Sequence, residues 1–157
     1  MNVNEQRLKL EGDGDVVAAW KAGMALGRRL GLPVFKQACF SSAILELSRV
    51  AVQNGRTGVC VLRDESDARA VRARVVIETS GREAAEAAKE RLRAELAVGP
   101  ALPSVRLQQV ADSCSVDSEG DRTRLSLAIG QARRPAAVPA PRLMPVVLGE
   151  RRVSARF

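Results

Sequence analysis

The sequence predicts an α/β protein, a two-layer α/β sandwich in which a mixed, mostly antiparallel sheet carries helices on one face. Apolar residues recur with strand-like and helix-like periods in the order β, α, α, β, β, α, α, β, β. Strands that follow each other directly favour antiparallel pairing, and helices with a single apolar face need a sheet to cover it. The 157 residues and 46% apolar content suffice for one ordinary core, so we expect one domain over residues 1–130.

The first strand and the first helix come from the N-terminal segment. Alternation of leucine with charged residues indicates a strand over residues 3–10. The turn EGDGD follows, and Asp13 or Asp15 is the expected N-cap of a helix that ends before the GLP sequence at 31–33. The predicted buried positions of this helix are Val16, Trp20, Met24, and Gly27 or Leu30.

The central helix is predicted over residues 37–54. Its buried face consists of Phe40, Ile44, Leu47 and Ala51, which recur at helical spacing. Glu46 lies on the adjoining line of the helix, which faces partly inward together with Val50. A carboxylate there needs a partner or a place at the mouth of a pocket, because an unpaired buried charge is costly.

The second half of the chain contains a hairpin, two helices and two further strands. The hairpin is predicted over residues 58–63 and 69–79, and a helix follows Gly81. The buried face of that helix is expected to contain Ala85, Ala88, Leu92 and Leu96. The remaining predicted elements are a short helix over 104–111, a strand near 113–118, and a last strand with Thr123, Leu125, Leu127 and Ile129 on one side.

Composition limits the functional classes. The chain has no histidine, which removes Ser/His/Asp and Cys/His triads, HExxH zinc sites and every imidazole base. Cys39, Cys60 and Cys114 lie in apolar patterns, so we predict free, buried thiols. The sequence shows neither a signal-peptide pattern nor an apolar run of about 18 residues, so we expect a cytoplasmic protein without a transmembrane segment.

Most of the net charge lies in residues 131–157. This segment contains six arginines and one acid, Glu150, and therefore holds five of the seven net positive charges. It also holds four of the seven prolines, so we predict a basic Pro/Arg-rich, flexible tail after the domain. A nucleic-acid or membrane-surface function is the alternative for such a tail, but 3% aromatic content leaves few side chains to stack on bases and argues against nucleic acid.

Two stretches carry a resemblance to a known family. LGRRLGLPVFKQACFSSAILELSRVAV, at residues 26–52, and LPSVRLQQVADSCSVDSEGDRTRLSLAI, at 102–129, resemble segments of the RsbT-type anti-sigma-factor serine/threonine kinases. Those kinases belong to the Bergerat-fold (GHKL, or HATPase) ATPases. The similarity covers roughly residues 16–129 and implies a Bergerat-like sandwich for this chain.

The first motif of that family is a helical Glu-x-x-Arg-Asn, whose residues supply a general base, a supporting arginine and a magnesium ligand. Residues 46–50 read ELSRV, so the resemblance implies that Glu46 is the base and Arg49 its support. Val50 stands at the magnesium-ligand position, and an aliphatic side chain has no lone pair for a hard cation. Asn54, one turn later, is the candidate substitute. An ion pair between Glu46 and Arg49 is the alternative to a catalytic role.

The second motif is Asp-x-Gly-x-Gly after a strand, which reads adenine and lets the backbone approach the nucleotide. Gly81 matches its first glycine, whereas Thr79 stands where the aspartate belongs and Glu83 replaces the second glycine. Thr79 still offers a hydroxyl to adenine, although it lacks the two acceptor oxygens of a carboxylate. Strand parity places Glu78 on the opposite face, so it cannot stand in for the aspartate. The third motif is a glycine-rich lid; residues 98–103 read VGPALP, where Gly99 survives and each proline removes a backbone donor.

The resemblance therefore implies two functions. The first is a degenerate regulatory module with no or weak ATP and magnesium binding, which acts by binding proteins in a bacterial partner-switching or stress-signalling pathway. The family's partners are STAS-type antagonists, sigma factors and phosphatases, and a homodimer is a further option. The second is an active ATP- and magnesium-dependent serine/threonine kinase that phosphorylates a STAS-type antagonist, with Glu46 as base.

Overall fold

A computed structural model describes residues 4–96 and 104–135 of the chain. It contains a five-stranded sheet of strand order β1-β2-β3-β7-β6, in which every neighbouring pair is antiparallel. The strands are β1 (Glu5–Leu10), β2 (Gly58–Asp64), β3 (Ala70–Ser80), the two-stranded pair β4 (Glu95–Leu96) and β5 (Val105–Arg106), β6 (Ser113–Glu119) and β7 (Arg122–Ala132). The helices are α1 (Asp13–Arg29), α2 (Val34–Val52), α3 (Arg82–Arg93) and α4 (Leu107–Val110).

The helices cover one face of the sheet. On β3, alternate residues are buried towards the helices, namely Ala73, Val75, Ile77 and Thr79. Their register partners on β7 are Ile129, Leu127, Leu125 and Thr123, which are buried as predicted. Residues between them point to the other face, where Glu78 is exposed, Arg74 is half-buried and Val76 is buried. The predicted two-layer α/β sandwich is therefore confirmed, with a main sheet that is wholly antiparallel in the described residues.

The antiparallel pair α1 and α2 forms most of the helical layer. All four predicted core residues of α2 are at most 1% exposed, namely Phe40, Ile44, Leu47 and Ala51. The predicted face of α1 is confirmed at Val16 and Gly27, which are buried, whereas Trp20 and Met24 are only half-buried. Ala19, Gly23 and Leu26 face the core as well. A Cβ at Gly23 would collide with the Ile44 side chain, so the missing side chain allows α1 to approach α2 along this line.

The start of α1 differs from the predicted cap. Gly12 occupies the N-cap position, and no side chain caps the helix there. The Asp15 carboxylate instead accepts a hydrogen bond of 2.8 Å from the Glu11 N–H, before the helix begins. Asp13 and Asp15 both lie in the first turn, where their charge favours the positive end of the helix dipole.

The secondary structure predicted for the segment after α3 is wrong. The helix ends at Arg93, and Leu96 lies in β4, although it is buried as predicted. β4 pairs with β5, so the following helix α4 begins at Leu107 and has only four residues. Alternation of apolar and charged residues over such short runs fits a helix and a strand equally, which is why the sequence pattern missed the β4–β5 pair.

The three cysteines are free, as predicted. Cys39 and Cys60 are buried, whereas Cys114 is half-buried. Burial raises the pKa of the Cys60 thiol to about 12. No helix in the described ranges has both the length and the apolar character that a bilayer crossing requires.

Candidate functional site

Three of the predicted site residues, Val50, Thr79 and Gly81, lie where β3 runs into α3, beside the C-terminal end of α2. We call this region the β3–α3 junction and define it by Val50, Ala51, Arg56, Thr79 and Gly81. Ala51 and Thr79 touch directly, because Gly58 in the adjacent strand leaves room for α2 to approach the sheet. A Cβ at Gly58 would lie 2.5 Å from the Glu78 carbonyl oxygen and 3.5 Å from the Ala51 Cβ.

Thr79 is buried and its hydroxyl is used within the fold. The hydroxyl oxygen lies 3.1 Å from the Ala51 carbonyl oxygen and 2.9 Å from that of Thr57. A hydroxyl has one proton, which these two carbonyls share or exchange. Thr79 thereby ties the last turn of α2 and the start of β2 to β3, and its hydroxyl proton is already engaged by the main chain.

Gly81 links β3 and α3 through its backbone. It has a φ of +96°, which side chains rarely adopt, and it stands at the N-cap of α3. Its N–H donates to the Asp121 carbonyl at 2.6 Å, and its carbonyl accepts from the Thr123 hydroxyl at 2.8 Å. Both backbone groups that a nucleotide motif would turn towards a ligand are thus bonded to the β6–β7 turn and β7.

Val50 lies in the hydrophobic core and not at a metal site. Its side chain is 1% exposed, in the same core cluster as Ala51 and Ala84. Its carbonyl accepts a hydrogen bond of 2.9 Å from Arg56, whose guanidinium also lies 3.8 Å from the Glu83 carboxylate. Arg56 therefore connects the end of α2 to the first turn of α3.

Glu46 is held between two arginines. Its carboxylate lies 3.3 Å from the Arg49 guanidinium on the same helix and 3.6 Å from that of Arg91 on α3. The Glu46 side chain is 18% exposed, whereas each arginine side chain is more than half exposed. The ion pair with Arg49 was the predicted alternative to a catalytic role; Arg91 was not predicted, because only the tertiary fold brings α3 against α2.

Asn54 and Gly81 line an open groove of about 630 Å³ at the end of the sheet. Asn54 itself has a left-handed conformation, with φ 58° and ψ 34°, in the turn that follows α2. The groove contains two arginines, Arg56 and Arg82, and two carboxylates, Glu83 and Asp121. This balance gives no net attraction for a polyphosphate.

The structure gathers the predicted site residues only in part. Val50, Thr79 and Gly81 meet at the junction and Asn54 adjoins it, whereas Glu46 and Arg49 lie about one turn back along α2 and do not line the groove. Gly99 lies outside the described residues. Sequence reasoning missed Arg56, Gly58 and Arg91. Of these, only Gly58 has a signal in the sequence: a glycine at the start of a strand, immediately after a turn, often marks a close approach of another backbone.

The described part of the chain contains no group of three or more acidic or cysteine side chains that could hold a metal ion. No protein-family model matches the sequence, and the search of curated proteins gives no match either. The geometry of the β3–α3 junction and of the surface around it is therefore the basis for a functional proposal.

Proposed function

We propose that this chain is a regulatory protein-binding module that resembles RsbT-type anti-sigma-factor kinases and binds ATP weakly or not at all. In this proposal it acts in the cytoplasm, in a bacterial partner-switching or stress-signalling pathway. Its partner is a protein of the kinds those kinases contact: a STAS-type antagonist, a sigma factor or a phosphatase. Contacts with such partners need a shaped surface and no phosphate cradle.

The proposal is carried by the use of the nucleotide-motif positions for folding. The Thr79 hydroxyl serves two main-chain carbonyls, Gly81 bonds to the β6–β7 turn, and Val50 fills the core. A nucleotide bound in the family's manner would have to break these contacts. Each lost hydrogen bond costs about 1 kcal/mol, and a buried group left without a partner costs more.

Glu46 also supports this proposal over a catalytic one. A general base needs a free lone pair within reach of the proton that it removes. Here the carboxylate faces two guanidinium groups, that of Arg49 on the same helix and that of Arg91 in the last turn of α3. A carboxylate held between two arginines in this way has the arrangement of a structural ion pair.

An active ATP- and magnesium-dependent kinase is the second candidate. Its supporting observation is the groove beside Asn54 and Gly81, because 630 Å³ lies within the size range of ligand pockets, roughly 300–1,000 Å³. In that reading Arg82 would contact the phosphates and Glu46 would serve as base. The balanced charge of the groove and the distance of Glu46 along α2 count against it.

The deciding experiment is calorimetric titration of the full chain with ATP and with ADP, each with and without magnesium. We expect no binding heat at millimolar nucleotide. Micromolar, magnesium-dependent binding would overturn the proposal. Two variants locate any nucleotide that binds. Arg82→Gln changes the groove, and Arg28→Gln, on the exposed side of α1, is the matched control. Loss of nucleotide binding in Arg82→Gln alone would place the nucleotide in the groove.

A pairwise binding assay tests the positive half of the proposal. Purified STAS-type proteins, sigma factors and phosphatases from the same genome are titrated into the labelled chain. We expect one of these classes to bind at micromolar or lower Kd without nucleotide. Binding that appears only when ATP is added would favour the kinase, and no binding by any class would contradict the module.

A further inference from the structure

The outer edge of β6 is open along its whole length in the described residues. β6 is the last strand of the main sheet and pairs with β7 on one side only. Every second residue of such a strand turns its N–H and C=O groups outward, where a further strand can bind them. At the opposite end of the sheet, β1 is also an edge and has a groove of about 320 Å³ beside it, but β1 carries the alternating charges of Glu5, Arg7 and Lys9.

A narrow groove runs beside the outer edge of β6. α3 forms one wall with Lys89, Leu92 and Arg93, and β6 forms the other with Cys114 and Val116. The remaining lining residues are Gln108, on α4, and Ser115, on β6. Its volume is about 190 Å³, below the range of small-molecule pockets, so it suits a single apolar side chain of a polypeptide and not a nucleotide.

The charge of the groove limits what can occupy it. The lining contains two cations, Lys89 and Arg93, and no carboxylate. Lys89 lies 3.4 Å from Glu86 one turn earlier, but that carboxylate is 76% exposed, so the pair is weak. Arg93 makes no ion pair within the described ranges. The parts of these walls that Leu92, Cys114 and Val116 form are apolar. The complementary ligand therefore combines an apolar side chain with acidic neighbours.

Two other occupants fit less well. A second copy of this chain, paired strand to strand at β6, would bring its own Lys89 and Arg93 towards the same pair, and like charges repel. The segment 136–157 of this chain contains four arginines and one glutamate, so its charge also has the wrong sign. Charge complementarity thus favours a different, acidic polypeptide.

We infer that this groove binds an extended acidic segment of the partner protein, which adds to β6 as a further strand. Main-chain hydrogen bonds to the outer edge of β6 supply affinity, and alternate side chains supply specificity. An apolar side chain enters between Leu92 and Val116, while carboxylates of the segment face Lys89 and Arg93. This inference rests on the proposed protein-binding function, for which it names the contact surface and the kind of segment.

The probe is a short, blocked, fluorescent peptide in which a valine has a glutamate two residues before it and another two residues after it, with serine between, so that all three side chains project from one face of the strand. It is titrated into the full chain and followed by fluorescence anisotropy. Two control peptides accompany it, one with lysine in place of glutamate and one with N-methylated alternate peptide groups. We expect the acidic peptide alone to bind, because the first control reverses the charge and the second removes the hydrogen bonds to the edge of β6. Binding should also slow the modification of Cys114 by a thiol reagent.

A pair of double variants separates groove binding from general attraction to a basic protein. Lys89→Glu with Arg93→Glu should raise the Kd of the acidic peptide at least about tenfold, because two attractions become repulsions. Lys21→Glu with Arg28→Glu makes the same charge change on exposed positions of α1 and should leave the Kd within about twofold. Equal loss in both double variants, or equal binding of the N-methylated peptide, would overturn the inference.

The same double variants distinguish failure of the inference from failure of the proposed function. If a partner protein binds the wild-type chain and the Lys89→Glu, Arg93→Glu variant equally well, the module stands and the groove is not its contact surface. If ATP binds at micromolar Kd, the proposed function fails whatever the peptide does. Circular dichroism of each variant confirms that its fold is retained.

Discussion

The β3–α3 junction and the groove beside β6 use their polar groups in opposite ways. At the junction, the Thr79 hydroxyl, both backbone groups of Gly81 and the Val50 carbonyl all have partners inside the fold. Beside β6, one edge of backbone groups and the side chains of Lys89 and Arg93 face outward. Groups that already form hydrogen bonds inside the protein must break them to bind a ligand, which costs free energy. The groups at the edge of β6 can bind a ligand without that cost.

This difference explains why a resemblance to ATP-binding proteins and a protein-binding role are compatible. Under the proposed resemblance, the junction positions correspond to those that read a nucleotide in RsbT-type kinases. In this structure the Val50 and Thr79 side chains belong to the packing between α2, β3 and α3. The recognition surface is therefore better sought at the edge of the sheet, and the following predictions test the contrast, starting with the largest expected effect.

Replacing Thr79 by aspartate should strongly destabilise the protein. The carboxylate would be buried against the carbonyl oxygens of Ala51 and Thr57, with no donor to pair with, so we expect a loss of about 4 kcal/mol or more in the free energy of unfolding at pH 7. The loss should shrink towards pH 4, because a protonated carboxyl group can donate a hydrogen bond. Urea denaturation at both pH values measures it.

The conservative control for that variant is Thr79→Ser, which keeps the hydroxyl and should cost only about 1 kcal/mol, for the lost methyl group. If Thr79→Asp were as stable as the wild type and gained ATP binding, the junction would be an open adenine site. The contrast between the two regions would then be wrong, and the kinase would become the leading candidate.

Replacing Val50 by asparagine, which restores the family's metal ligand, should cost roughly 3 kcal/mol of folding stability and give no magnesium affinity. The amide would replace a side chain that is 1% exposed in the core, where it loses apolar contacts and gains an unpaired polar group. Chemical denaturation gives the stability, and calorimetry with magnesium and ATP gives the affinity. Arg49→Asn, on the exposed neighbour, should change stability by no more than about 1 kcal/mol, since it removes the exposed ion pair with Glu46. Magnesium-dependent ATP binding by the Val50 variant would show that one missing ligand silences the site.

Thiol reactivity compares the two sides of the molecule in one experiment. Burial raises the pKa of both thiols, to about 12 for Cys60, which lies under the helices; Cys114 lines the groove and is only half-buried. At pH 8 we expect a thiol reagent to modify Cys114 roughly 100-fold faster than Cys60, because the thiolate is the reactive form. Peptide mapping by mass spectrometry gives the rates. In urea the cysteines should react alike; equal rates in the native protein would mean that Cys114 is not accessible.

The sequence predicted the layers and the order of the main elements, because long stretches keep one apolar period. The buried residues of α2 and β7 follow directly from such periods. It failed where the pattern was short or where tertiary contact decided the outcome. The burial of Gly23 in α1 depends on its close approach to Ile44, and the β4–β5 pair joins two runs of two residues each. Neither can be read from local periodicity.

For the candidate site, the sequence located the positions but not their roles. It placed Thr79 on the buried face of β3, and it gave an ion pair with Arg49 as the alternative to a catalytic role for Glu46; the structure has both the burial and the ion pair. It did not predict that the Thr79 hydroxyl bonds to Ala51 and Thr57, since those carbonyls come from other elements. The side chains of Arg56 and Arg91 reach the site only after α3 has packed against α2.

Neutralising Glu46 should have the smallest effect. Arg49 and Arg91 are each more than half exposed, so water can solvate both when Glu46→Gln removes the carboxylate charge. We expect a loss below about 1 kcal/mol, reduced further in high salt, and a partner affinity changed less than tenfold. Glu86→Gln, which removes the exposed pair with Lys89, is the matched control and should cost as little. A loss of partner binding by Glu46→Gln alone, with stability retained, would place recognition on the α2–α3 surface and contradict a partner site at the edge of β6.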